Sequence, residues 1–215
     1  MSLRRTAPLA RRELLAALLL SVTAFGLWYW VFVVPGASFW LKIALAASVL
    51  AASSIAAMGP RRAALFRLSA ADVGAGLVAA PLLYGAFIVG KAVLTAILPG
   101  TGASIGAVYA PRDGASLWVV GALLFFVTGP AEEVFWRGML QRVLVDRLGP
   151  WGGLLLSSVF YALVHLCTLN VPLVLAALVA GLFFGALALW RGNLTAAVLC
   201  HSAWGVLIFV IFPVS

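Results

Sequence analysis

Charged side chains are scarce in this chain of 215 residues, of which Asp, Glu, Lys and Arg make up only 9%. A soluble domain has roughly a quarter of its residues charged, so this composition excludes an ordinary water-facing surface. A disulfide framework is excluded as well, because the chain has only two cysteines, Cys167 and Cys200, both inside apolar runs. Hydrophobic residues make up 65% of the chain, which indicates lipid as the solvent.

Seven apolar runs approach the length of about 20 residues that a membrane-spanning helix needs. Pro, Gly or Arg residues stand at the breaks between them. The runs are 13–34, 38–58, 73–98, 116–136, 151–168, 171–190 and 194–212. The sequence therefore predicts an all-α, polytopic bundle of about seven or eight transmembrane helices, forming a single integral membrane domain over 1–215. The stretch 99–114 is predicted to be the one long loop.

Basic residues are distributed unevenly between the two sides of this predicted bundle. With the N-terminus inside, eleven fall on inner segments and three, Lys42, Lys91 and Arg112, on outer ones. Cytoplasmic loops carry the excess of Lys and Arg, so the N-terminus is predicted to be cytoplasmic and the 99–114 stretch to face outward. The inner residues are Arg4, Arg5, Arg11, Arg12, Arg61, Arg62, Arg67, Arg137, Arg142, Arg147 and Arg191.

The formal net charge of +8 indicates attraction to anionic lipid headgroups rather than to nucleic acid. Membrane lipids are therefore predicted partners, and nucleic acid is not. The composition, rich in Ala and Arg, is typical of a GC-rich bacterial genome. The predicted location is accordingly the bacterial cytoplasmic membrane.

Ionisable residues at membrane depth are costly and mark functional sites. Glu132 and Glu133 lie inside an apolar run, whereas the other four acidic residues lie near segment ends. The only two histidines, His165 and His201, are also inside apolar runs. These four residues predict a polar site embedded in the membrane.

Helix geometry separates the two glutamates. Glu133 and Arg137 are four residues apart and can form an ion pair on one helix face, as Tyr161 and His165 can also share a face. Glu132 is turned by about 100° from Glu133, so it is predicted to be the carboxylate left free. Gly129–Pro130 just before the pair is predicted to kink the helix and admit water.

A hairpin about Gly149 would bring distant polar residues to a similar depth. Glu132 lies 17 residues before Gly149 and His165 lies 16 after it. His201 follows Arg191 by ten residues, which is about 15 Å along a helix and also within the membrane. Glu132, His165 and His201 are therefore predicted to converge on one cavity.

Attack of water on a carbonyl is the chemistry that suits one carboxylate and two imidazoles. The three side chains could hold a divalent metal such as zinc, with a position left open for water. Alternatively, Glu132 could be the general base while an imidazole stabilises the oxyanion. The non-functional interpretation is a polar network that joins helices, and the residues alone leave these alternatives open.

Three short motifs resemble those of the CPBP family, the CAAX protease and bacteriocin-processing (ABI) intramembrane endopeptidases. The segment 132–138, EEVFWRG, matches the family's EExxxR motif, and Tyr161 to His165 is similar to FxxxH with Tyr in place of Phe. His201 to Gly205 is similar to the third motif, a His followed four residues later by Asn or Asp. The region that carries the motifs is 116–212.

This resemblance implies a polytopic intramembrane endopeptidase, reached from the cytoplasmic side, whose catalytic residues are Glu132, His165 and His201. Family members are described both as metalloproteases and as glutamic proteases. The implied substrate is a membrane-associated protein or peptide. Relatives trim prenylated CAAX proteins, process bacteriocins, confer self-immunity or remove C-terminal sorting signals.

Two departures from the family pattern affect the supporting residues. Tyr161 replaces Phe, and its hydroxyl could form a local hydrogen bond. Gly205 replaces the Asn or Asp that is thought to help hold the oxyanion, so a backbone group, a water or Ser202 would have to serve. A non-catalytic membrane protein, either a peptide-binding immunity protein or a transporter, is the competing hypothesis, although only one helix has a broken pattern.

Overall fold

A computed structural model describes residues 11–214, and all of the regular secondary structure within that range is helical. The predicted all-α, polytopic bundle is therefore confirmed. Arg4 and Arg5, which contributed to the predicted orientation, lie outside the described residues, as does the side chain of Arg61.

Nine α-helices follow one another along the chain, interrupted by tighter and wider turns. The α-helices are α1 (Arg11–Phe32), α2 (Phe39–Ala57), α3 (Ala70–Ile97), α4 (Thr101–Tyr109), α5 (Leu117–Leu123), α6 (Gly129–Glu133), α7 (Arg142–Leu163), α8 (Val171–Arg191) and α9 (Thr195–Val206). The 3-10 helices are Gly59–Phe66, Ala110–Arg112 and Val164–Thr168, and the π-helices are Leu124–Thr128, Val134–Gln141 and Leu207–Ile211.

All seven predicted apolar runs are helical. Within residues 11–214, five helices are long and apolar enough to cross a membrane: Arg11–Phe32, Phe39–Ala57, Ala70–Ile97, Leu117–Thr168 and Val171–Arg191. The run Leu117–Thr168 is 52 residues long and contains the fourth and fifth predicted segments. The seventh predicted segment is the shorter apolar helix Thr195–Ile211.

The prediction of one long loop over 99–114 is wrong, because this stretch contains α4 and the 3-10 helix Ala110–Arg112. Gly100, with a φ of 81°, takes the left-handed conformation that ends α3 and allows a new helix to start. The buried Thr101 then donates its hydroxyl hydrogen to the carbonyl of Leu98, at 2.6 Å. A short turn at Gly100 thus replaces much of the predicted loop.

The predicted hairpin about Gly149 is confirmed. Gly149 has φ 76° and ψ 173°, so the chain reverses between the two arms of the Leu117–Thr168 run. The arms pack so closely that a Cβ at Gly153 would lie 2.5 Å from the backbone nitrogen of Val145. One turn further on, Ser157 donates to the side-chain oxygen of Gln141 at 3.3 Å. Contacts therefore occur at equal distances on either side of the turn.

The predicted kink at Gly129–Pro130 takes a different form. The backbone stays helical through both residues, and it widens to π-helix in Leu124–Thr128 before them and in Val134–Gln141 after them. Proline cannot donate a backbone hydrogen bond, and wide turns of this kind occur mostly at functional sites. The predicted position of the irregular backbone is therefore correct, but the irregularity is a change in the backbone hydrogen-bond pattern and not a break in the helix.

The bundle has two ends that differ in composition. At the end we call the loop end, α4 and residues 110–116 lie over the helices: Trp40 donates to the carbonyl of Pro111 at 2.8 Å, and Asn170 to that of Ser104 at 2.7 Å. At the opposite end, which we call the arginine end, the backbone N–H of Leu194 donates to the carbonyl of Leu65 at 3.0 Å. The arginine end also includes the start of α1 and the turn at Gly149.

Candidate active site

A cavity of about 740 Å³ lies at the loop end of the bundle, and its walls are mostly apolar and aromatic. Glu132, His165 and His201 all line it, together with Tyr161 and Gly205. They come from α6, the 3-10 helix Val164–Thr168, α7 and α9. The three side chains that were predicted to converge from separate helices therefore share one cavity.

Glu132 is buried and takes no part in the ion pair of Glu133 and Arg137, as predicted, but its carboxylate has another partner. Its Oε2 accepts a hydrogen bond from the Tyr161 hydroxyl at 2.9 Å. Phenylalanine, the family residue at this position, could not donate that bond, so the departure at Tyr161 has a direct effect on the site. The sequence indicated that the Tyr161 hydroxyl could form a hydrogen bond, but not that Glu132 would accept it.

Glu133 forms the predicted ion pair with Arg137 and also a second bond. Its Oε1 accepts from Nη1 of Arg137 at 2.8 Å and lies 2.7 Å from Nδ1 of His201. All three side chains are buried. The structural role predicted for Glu133 was therefore too narrow, because the same oxygen also orients a predicted catalytic histidine.

Arg137 is held by more than its carboxylate partner. Nη2 donates to the carbonyl of Gly181 in α8 at 3.2 Å. The guanidinium carbon lies over the rings of Tyr161 and Phe184, 4.7 and 5.3 Å from their centroids. A buried cation on two aromatic faces is stabilised by their electron density, so this arginine fixes the hairpin against α8.

His201 is clamped on two sides. Its ring stacks on Phe184 with 4.5 Å between centroids and an angle of 12° between planes. Nδ1 faces Glu133, which leaves Nε2 as the nitrogen that Glu133 does not engage. A carboxylate behind an imidazole fixes both the orientation of the ring and its tautomer.

His165 has a partner at each ring nitrogen. Nδ1 lies 2.8 Å from the carbonyl of Tyr161, so it carries the hydrogen. Nε2 then accepts from the indole N–H of Trp28 in α1, at 3.2 Å. Trp28 was missed from the sequence, although a buried tryptophan usually needs a partner for its N–H and so gave a usable signal.

The described arrangement does not fit a metal held by Glu132, His165 and His201. A histidine ligand must present a free nitrogen lone pair, and in His165 Nδ1 carries the hydrogen while Nε2 accepts from Trp28. Within residues 11–214, no three His, Cys, Asp or Glu side chains are placed so as to hold a metal ion. The chemistry of this site is therefore assigned to its own side chains.

Gly205 leaves space at the position of the family's Asn or Asp. Its nearest neighbour would be the side chain of Leu124, 3.8 Å from a Cβ built there. Ser202, considered as a substitute, is buried, and its Oγ would lie 2.6 Å from a Cβ built on Gly129. The hydroxyl of Ser202 thus faces the helix contact with Gly129, and Ser202 is not among the residues that line the cavity.

The position of the cavity sets two earlier expectations against each other. The cavity lies at the loop end, where its wall includes Ala107 and Pro111. The distribution of arginine predicted that this end faces outward, whereas the family resemblance implied access from the cytoplasm. Only one of these two expectations about the side of the membrane can hold in this fold.

Residues 114–207 match the family model of the Rce1-like type II CAAX prenyl endopeptidases. The matched segment is thus similar to the Rce1-like family and covers less than half of the chain. All three motifs lie in it, which confirms the resemblance inferred from them and supports an intramembrane endopeptidase of the CAAX type. No curated protein and no solved structure matches the chain. Helices α1 to α4, and with them Trp28, lie before the Rce1-like segment.

Proposed function

We propose that this protein is an intramembrane endopeptidase in which Glu132 activates the water that hydrolyses a peptide bond. The observation that carries the proposal is the shared cavity of Glu132, His165 and His201 within an Rce1-like segment. An isolated polar network for helix packing would not require these side chains to line a cavity large enough for a peptide.

The chemistry begins at Glu132. Tyr161 occupies Oε2, so Oε1 is the oxygen that accepts a proton from water. The water oxygen forms a bond to the peptide carbonyl carbon, and the carbonyl electron pair moves onto oxygen. When this intermediate collapses, the C–N bond breaks and the proton held by Glu132 passes to the leaving nitrogen. The products are a carboxylic acid and an amine.

The two histidines position the reactants. Nε2 of His201 accepts a hydrogen bond from the second O–H of the water, and Glu133 and Phe184 keep the ring fixed for this purpose. Nε2 of His165 binds a substrate N–H in place of the indole N–H of Trp28. Fixed partners lower the cost of organising the transition state.

The substrate is a membrane-associated protein or peptide that presents an apolar segment to the cavity. The aromatic side chains of Phe32, Phe39 and Phe87 in the cavity wall suit such a segment. The name of the matched family suggests C-terminal processing of a lipidated protein, and removal of a sorting signal is the related alternative. The proposed location is the bacterial cytoplasmic membrane, with the N-terminus in the cytoplasm and membrane lipids as partners.

Replacing Glu132 tests the mechanism. Glu132→Gln keeps the shape and can still accept from Tyr161, but it removes the basic oxygen, so we expect proteolysis of a co-expressed membrane-anchored substrate to be lost. Activity is normalised to the amount of protein in the membrane, which should stay at the wild-type level. The matched control is Asp113→Asn, an exposed carboxylate, which should leave proteolysis unchanged. Full activity of the Glu132→Gln variant would exclude this mechanism.

Chelation separates the metal-free mechanism from a metalloprotease. Because His165 presents no free nitrogen, we expect the purified protein to keep its activity after treatment with a strong chelator. The measurement is the rate of proteolysis before and after chelation, together with the metal content of the protein. A loss of activity that zinc alone restores would contradict the proposal.

A non-catalytic peptide-binding protein is the second candidate, and Gly205 is the observation that favours it. The family amide thought to hold the oxyanion is missing at this position. A binding protein would retain its peptide intact, and Glu132→Gln would change neither the peptide nor its retention. Product formation by the wild-type protein decides between the two functions.

A further inference from the structure

The cavity belongs to one half of the bundle. The end of α1 and the residue after it contribute Trp28, Phe32 and Val33, and the beginning of α2 contributes Phe39, Trp40 and Ile43. The contributions of α3 and α8 follow the same pattern, since 86–94 is the last part of α3 and 172–180 the first part of α8. These segments all adjoin the loop end.

The arginine end is closed by contacts between its own segments. Leu194 donates its backbone N–H to the carbonyl of Leu65 at 3.0 Å, and the Thr195 hydroxyl donates to that of Arg67 at 2.8 Å. Arg191 and Asp72 form an ion pair at 2.6 Å. Within residues 11–214, the cavity wall takes no residue from 59–69, 142–153 or 186–195. A substrate therefore reaches Glu132 through the loop end.

Charge assigns the two ends to the two sides of the membrane. Of the twelve basic residues within 11–214, eight lie in segments of the arginine end, and Arg137 is buried in the middle of the bundle. Three remain at the loop end, and one of these, Lys42, is buried and donates to the carbonyls of Trp30 and Val34. The eight basic residues of the arginine end are Arg11, Arg12, Arg61, Arg62, Arg67, Arg142, Arg147 and Arg191.

We infer that the active-site cavity opens to the non-cytoplasmic side of the membrane, and that its substrate is a polypeptide anchored in the outer leaflet. The excess of arginine places the arginine end in the cytoplasm, so the loop end and the cavity mouth face outward. The identity of the substrate rests on the proposed function, whereas the direction of the opening does not. Proteins whose cleavable segment stays in the cytoplasm are excluded as substrates.

The apolar wall of the cavity further limits the class of substrate. Trp40, Leu94 and Val108 line the cavity, and such apolar walls bind apolar side chains rather than a hydrated chain. The carboxylate of Glu132 lies in the same cavity. The substrate is therefore a translocated polypeptide whose apolar membrane segment enters the cavity from the outer side.

Two single cysteines test the direction of the opening. Ala107→Cys lies at the mouth of the cavity and Ala63→Cys at the arginine end, and both positions are exposed. Each is made with Cys167→Ala, since Cys167 lines the cavity, whereas Cys200 is fully buried and can remain. Intact cells are treated with a membrane-impermeant maleimide, and permeabilised cells are the control.

We expect Ala107→Cys to react in intact cells and Ala63→Cys to react only after permeabilisation. The opposite pattern would overturn the inference, as would reaction of both positions only after permeabilisation. This result is independent of proteolysis, so it stands or fails separately from the proposed function.

Blocking the mouth tests the route of the substrate. In the Ala107→Cys variant, modification of intact cells with a bulky impermeant maleimide should abolish proteolysis that the same variant shows before treatment. The Ala63→Cys variant, treated in the same way, should keep its activity. Undiminished proteolysis with a fully modified Ala107→Cys variant would overturn entry from the outer side. Absence of proteolysis before treatment would instead contradict the proposed function and leave the labelling result to decide the direction.

Discussion

The two ends of this bundle differ in role: one is closely packed and stabilises the fold, and the other contains the cavity for the proposed chemistry. At the arginine end, the turn at Gly149 brings two helical arms into backbone contact, and the Arg191–Asp72 ion pair closes the neighbouring segments. At the loop end, the helices leave a cavity of about 740 Å³ among aromatic side chains. Empty volume costs packing energy, so a close-packed end supports an end that is open for a substrate.

The buried cluster of Glu133, Arg137 and His201 lies between the two ends. A change there should have the largest effect, because it should affect stability and activity together. Glu133→Gln would leave Arg137 without its charge partner, and breaking a buried pair costs about 3–5 kcal/mol. We expect the membrane yield and the activity per molecule to fall together, as measured by quantified expression and proteolysis.

A second variant separates the two effects of Glu133. Glu133→Gln combined with Arg137→Gln removes both charges, so the yield should recover. Activity should stay low, because His201 still lacks the carboxylate at Nδ1. Full recovery of proteolysis in the double variant would show that Glu133 acts only through Arg137.

A methyl group at the turn tests the arginine end by itself. Gly153→Ala would place Cβ against the backbone of Val145, and overpacking of this kind costs about 1–3 kcal/mol. We expect a lower thermal unfolding midpoint in detergent with unchanged activity per folded molecule. The control, Gly85→Ala, meets no atom within 4 Å and should not lower the midpoint. A selective loss of activity would contradict the division between the two ends.

The smallest effect is expected from Tyr161→Phe, which restores the family residue in the cavity. It removes one hydrogen bond to Glu132 and keeps the ring beside Arg137, so the packing of the fold is kept and the change is confined to the cavity. Proteolysis should therefore shift in its pH dependence rather than disappear. An unchanged pH profile would show that the hydroxyl does not influence the base.

Local geometry made part of this site predictable. The ion pair of Glu133 and Arg137 follows from a spacing of four residues, and the hairpin from Gly149 and Pro150 between two apolar runs. Both depend on contacts between segments joined by a short turn. Contacts between residues that lie close to one another along the chain could therefore be predicted from the sequence.

Contacts between distant helices could not be predicted in the same way. The bonds of Trp28 to His165 and of His201 to Glu133 span 137 and 68 residues, and no turn fixes their register. The position of the cavity was hidden for the same reason, because it depends on how α1, α3 and α8 are arranged around the Rce1-like segment. The helix within 99–114 was missed because its composition resembles a loop and Gly100 only indicates a break.

The symmetry of the hairpin has a consequence for the order in which the protein forms. Val145 with Gly153, Gln141 with Ser157 and Arg137 with Tyr161 lie four, eight and twelve residues on either side of Gly149. Such local contacts form quickly, and they can close in sequence from the turn without any segment that follows Thr168. The carboxylate of Glu132 and the hydroxyl of Tyr161 therefore meet through the hairpin alone, and His201 docks on a site whose carboxylate is already in place.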